Sequence, residues 1–149
     1  MYVGVNTLTI EPGRGGGEEH YLRHLLATVR KVHPDVRFVA FTDPANHDSF
    51  EGWNRIFLRR PSELERATKR AGIDVLFTPL RTALPKSPVP QIPFAMDLLS
   101  VREMAGKRHR RAAARLKAIQ RICREAPAIV TPSQFLQREC LELLDVPLD

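Results

Sequence analysis

The residues able to do chemistry lie in a few short runs. Gly13-Arg14-Gly15-Gly16-Gly17 follows an apolar stretch at residues 2–6 and leads into Glu18-Glu19-His20-Tyr21-Leu22. Strand, glycine turn and helix in that order aim backbone N–H groups at an anion, and glycines without a Cβ let a ligand approach the main chain. Three consecutive glycines serve equally as a plain flexible connection. A strict dinucleotide fingerprint would place its third glycine where Glu18 stands. His20 and His24 have the spacing of paired helical zinc ligands, but Tyr21 occupies the position that a zinc peptidase gives to glutamate. Their rings project away from the apolar stripe of the helix, so they read as solvated. Cys123 and Cys140 lack metal-ligand spacing and fall in apolar-periodic helices, which predicts reduced core thiols and no metal site.

The elements that must carry these runs alternate along the chain. Leu22, Leu25, Leu26, Val29 and Val32 recur at helical spacing and form one stripe, ended by Pro34. Strands are predicted at residues 2–6, 36–42, 55–58, 74–78, 89–95 and 128–131. The fifth has Pro88, Pro90 and Pro93 to accommodate. Residues 46–53 read as a polar loop, with Trp53 a packing residue near its end. Further helices are expected from Pro61 to Gly72, from Arg102 to Glu125, and from Ser133, a good N-cap, to Leu144. Strands alternating with helices argue for an α/β fold, a doubly wound Rossmann-like parallel sheet with helices on both faces. In such sheets ligands bind beyond the carboxyl ends of the strands. That rule gathers the glycine loop, Asp97 after the fifth strand and Thr131-Pro132-Ser133 after the sixth.

Composition sets the outer bounds. A chain of 149 residues that is 43% apolar fits one globular domain. With 23 Lys and Arg against 17 Asp and Glu the net charge is +6, which invites an acidic ligand, nucleic acid or an anionic membrane surface. Eight of the basic residues fall between Lys107 and Arg124 with no acid among them, so the rest of the chain is net acidic. On a helical wheel Ala105, His109, Ala112, Leu116, Ile119, Cys123 and Ala126 share one face, and Lys107, Arg110, Lys117, Arg121 and Arg124 point away. Such a face is either simply solvated or set for phosphates or lipid head groups. Nucleic acid is the weaker of these partners, because no recognition helix or aromatic interleaving accompanies the charge. Neither a basic-then-apolar leader after Met1 nor an apolar run of about eighteen residues is present, so a cytoplasmic protein is expected, with peripheral attachment to a membrane left open.

Taken together, Pro12-Gly13-Arg14-Gly15-Gly16-Gly17-Glu18-Glu19-His20-Tyr21, Phe94-Ala95-Met96-Asp97-Leu98, Ile129-Val130-Thr131-Pro132-Ser133-Gln134-Phe135 and Leu144-Asp145-Val146-Pro147 resemble the amino-terminal half of a family 4 (group 1) glycosyltransferase. The resemblance spans essentially the whole chain. It implies the GT-B arrangement, in which two Rossmann-like domains face a cleft, the amino-terminal one holding the acceptor and the carboxy-terminal one the nucleotide sugar. It further implies sugar transfer from a nucleoside diphosphate donor with retention, and neither a cofactor nor a metal. By the same resemblance Gly15, Gly16 and Gly17 would lie beside the donor phosphates and the acceptor, Asp97 would meet sugar hydroxyls or orient the loop, and Ser133 would contact ligand or cap its helix. Met96 stands where the family has a histidine, which removes a titrating group, so no catalytic residue is assigned beyond Asp97 as a candidate. The acceptor could be a glycan, a lipid-linked sugar or a small molecule. The donor domain would lie beyond residues 1–149, and the chain by itself is expected not to turn over. A nicotinamide-binding Rossmann domain of an oxidoreductase, with Asp43 after the second strand as ribose partner, and a non-catalytic basic nucleic-acid module are the competing readings.

Overall fold

A computed structural model describes residues 1–13, 17–106 and 110–146. Five strands form one parallel sheet: β1 (Tyr2–Asn6), β2 (Arg37–Thr42), β3 (Arg55–Phe57), β4 (Val75–Pro79) and β5 (Gln91–Phe94), in the spatial order β3-β2-β1-β4-β5. The register pairs Val3 with both Phe38 and Val75, and carries β4 onto β5 through Leu76 and Gln91. Helices α1 (Gly17–Val32), α2 (Leu64–Ala71), α3 (Leu99–Gly106), α4 (Arg110–Glu125) and α5 (Gln134–Leu144) flank it. This is the expected Rossmann-like α/β architecture.

Period-two side chains divide the central strands between two cores. Val3, Val5, Phe38, Ala40, Val75 and Phe77 pack with Leu22 and Leu26 of α1. Val39, Phe41 and Leu76 pack instead with Leu64 of α2 and with Ile73. Between them on β1, Gly4 is a tight point: a Cβ there would sit 2.8 Å from the Phe41 ring and 2.4 Å from Ile73 Cδ1. A third cluster unites Leu98 and Val101 with Ile119 and Cys123 of α4 and Cys140 and Leu144 of α5. Gly72 closes α2 at φ 61° in the left-handed region.

Several expectations need correction. The sixth strand shrinks to one parallel bridge, Phe94 to Val130, held by Ala95 N–H to the Val130 carbonyl and Val130 N–H to the Pro93 carbonyl, both 2.9 Å. Pro127 and Pro132 flank that segment and can donate no ladder bond, so pairing cannot extend. The single basic helix is two helices, with α3 ending at Gly106, a poor helix former. Lys107 and His109 of the predicted wheel lie outside the described residues, and Ala105 is exposed on α3. The polar loop 46–53 contains a 3-10 turn whose Phe50 is wholly buried. Val32, placed on the α1 stripe by spacing, is 61% exposed.

Candidate functional site

Beyond the carboxyl ends of β1, β4 and β5 a buried amide sets the local geometry. Asn6, the last residue of β1, is fully buried. Its Nδ2 donates to Thr78 Oγ1 at 2.9 Å and Thr82 Oγ1 at 3.2 Å, while its Oδ1 accepts the Leu8 N–H at 3.2 Å. A buried amide satisfied in this way ties the loop after β1 to the turn after β4. Asn46 repeats the device on the other side, donating to the carbonyls of Thr7 at 2.5 Å and Ile10 at 3.1 Å.

The turn after β4 presents Arg81 to the start of α1. Its Nη2 donates to Glu18 Oε2 at 2.6 Å and to the Thr9 carbonyl at 3.1 Å. Arg115 of α4 donates to the Arg81 carbonyl at 3.3 Å. The Glu18 side chain is only 15% exposed. Burial pushes its carboxyl above the usual carboxylate value; Arg81 works against that shift and Asp97 adds to it. Gly17, the first residue of α1, brings the backbone so close to the end of β5 that its Cβ position lies 3.8 Å from the Met96 methyl. Asp97 is exposed, and its Oδ1 accepts the Leu99 N–H at 3.0 Å, which launches α3.

These groups line one cleft of about 480 Å³, walled by Thr9, Glu11, Gly17, Glu18, Arg81, Met96 and Asp97. A smaller cavity of about 30 Å³ shares Glu18, Arg81, Met96 and Asp97 with it and is lined further by Pro79, Leu80, Phe94 and Ile119. The larger volume is in the range of small-ligand sites. Of the residues singled out from sequence, Gly17, Met96 and Asp97 meet here. Gly15 and Gly16 lie outside the described residues. Ser133 is not in the lining; it is exposed, and its Oγ accepts the Leu136 N–H at 3.2 Å as the cap of α5. Arg81, Thr9 and Glu11 were missed by sequence reasoning. No period or motif marks the arginine, which reaches the cleft through its loop contacts with Thr9 and Glu18.

Other candidates stand apart. His20 and His24 are exposed, their ring centroids 4.2 Å apart. Among the described residues no group of three or more His, Cys, Asp or Glu could hold a metal ion. Asp43 spends its Oδ1 on the Ala45 N–H at 2.9 Å and is absent from the cleft lining, which weakens the dinucleotide reading. Cys123 and Cys140 are free and buried, and burial pushes their thiols up to about 12 and about 11. Among the described residues no helix is long and apolar enough to cross a membrane.

A fold comparison adds a solved neighbour. Arabidopsis thaliana UGT89C1, a plant UDP-glycosyltransferase of the GT-B fold crystallised with UDP, superposes with a TM-score of 0.55 at 13% identity. The sheet matches half of a GT-B enzyme. The match takes in 95% of this chain and 47% of the neighbour, so this chain spans about half the neighbour's length. No family model and no curated protein matches the sequence.

Proposed function

We propose that this chain is the acceptor-binding, amino-terminal domain of a retaining glycosyltransferase that draws sugar from a nucleoside diphosphate donor. The observation that carries the reading is the meeting of the β1–α1 loop end, the turn after β4 and the segment after β5 around one polar cleft. Aspartate, glutamate and arginine side chains there suit the hydroxyl groups of a sugar, each able to accept or donate in a fixed direction. The backbone at the start of α1 faces the same space and would stabilise charge on the departing diphosphate from one side. Glu18 and Glu19 keep that contact loose, so the main phosphate grip falls to a second, donor-binding domain.

On this reading the isolated chain captures acceptor glycans but releases no nucleoside diphosphate. A glycan array probed with the purified chain, beside a coupled assay for diphosphate release from UDP-, ADP- and GDP-sugars, tests both halves. Capture lost in Gly17→Trp, which fills the cleft, is the expected result. Turnover at ordinary enzymatic rates would overturn the half-enzyme reading, and absence of any cleft-dependent capture would overturn the acceptor-side one.

The exposed Arg110, Lys117 and Arg124 of α4 support peripheral attachment to an anionic membrane. Each basic residue near such a surface contributes about 1 kcal/mol. Co-sedimentation with phosphatidylglycerol vesicles but not with phosphatidylcholine vesicles, lost when these three become glutamine, is the expected outcome.

A further inference from the structure

The charge of the cleft opposes the charge of the chain. Although the whole sequence is +6, the charged side chains lining the cleft among the described residues are Glu11, Glu18, Asp97 and Arg81. Arg81 is committed to Glu18 at 2.6 Å. Arg115 of α4 reaches the Arg81 backbone carbonyl rather than a carboxylate. Among the described residues Glu11 and Asp97 therefore face the cleft with no cationic partner, Asp97 accepting the Leu99 N–H at 3.0 Å. In the same wall Thr9 Oγ1 is buried and has no hydrogen-bond partner among the described residues. Two carboxylates without a cation among the described residues of the wall fit a donor-rich cation and repel an anion.

We propose that the cleft selects an acceptor bearing a protonated amine, an amino sugar or aminocyclitol, over a phosphorylated sugar. The proposal rests on the acceptor-side reading above and names its substrate class. The ammonium group takes up the Glu11 and Asp97 carboxylates, while ring hydroxyls meet Glu18 and Arg81. A volume of about 480 Å³ admits one or two sugar rings. The same carboxylates turn away the donor diphosphate, leaving it to the opposite wall.

The test is an NMR titration of the ¹⁵N-labelled chain at low ionic strength with glucosamine, N-acetylglucosamine and glucose 6-phosphate. Reading individual amides matters, because net charge alone would draw the phosphate ester to the protein. Glucosamine is expected to shift the Gly17, Glu18 and Asp97 amides with an affinity about tenfold above its N-acetyl form, the size two partly exposed ion pairs can supply. The preference should vanish in the double variant Glu11→Gln, Asp97→Asn, in which the asparagine oxygen can still accept the Leu99 N–H. Glucose 6-phosphate moving these amides as readily as glucosamine, or a preference that survives the double variant, would overturn the amine class while the acceptor site stands. If no sugar shifts the cleft amides, both the class and the acceptor-side reading fall.

Discussion

At the residue scale the Glu18–Arg81 pair is the most informative contact in the cleft. Because burial lifts the Glu18 carboxyl and Arg81 opposes the lift, Arg81→Met is expected to move the Glu18 titration upward by ¹³C NMR, and Asp97→Asn to move it downward. A shift in the same direction for both would show that the carboxyl does not feel these neighbours. The raised value also has a stability consequence. The folded chain binds this proton more tightly than the unfolded chain, so the contribution of Glu18 to stability falls as pH rises from its ordinary value of 4.5 through the raised one. Thermal midpoints of the wild type relative to Glu18→Gln should therefore decline between pH 4 and 7. Gly17, Met96 and Asp97 could be placed in the cleft from sequence, since topology fixes where strand ends point. Arg81 could not, because its role depends on a loop contact with Thr9 and Glu18, and loops follow no period. Asn46 was hidden for a related reason: a polar residue in a polar stretch gives no sign that it is buried.

At the element scale, period and punctuation made most helices and the five strands readable, and prolines and glycines marked where the reading slipped. Apolar alternation in residues 128–131 resembles a strand, yet its flanking prolines leave one bridge. Charge periodicity ran on past Gly106, where α3 ends, into α4 from Arg110. Ser133→Ala should destabilise the domain by about 1 kcal/mol through loss of the α5 cap while leaving sugar binding at the cleft unchanged, measured by urea unfolding and the same NMR titration. A loss of binding with no loss of stability would assign the hydroxyl to ligand instead. Gly4→Ala has no free space to use: its new methyl meets the rigid Phe41 ring, and a loss of about 1–3 kcal/mol in urea unfolding is expected.

At the scale of the whole molecule, three apolar clusters hold a sheet, its two helical faces and the α3–α5 corner together. Cys123 and Cys140 report on the last of these. With thiols pushed up to about 12 and about 11 by burial, neither should be alkylated by iodoacetamide at pH 8 while the fold is intact, and both should be in urea, as mass spectrometry would reveal. Rapid labelling of the native chain would mean that the α4–α5 packing opens readily. The lone bridge at Val130 has a further effect on how the molecule behaves in company. It occupies the outer border of β5 with a segment between two prolines, and a neighbouring molecule finds there no run of free amides to copy. At the other border β3 offers only three residues, followed by Arg59 and Arg60. Both rims thus offer a second chain little to pair with along the sheet.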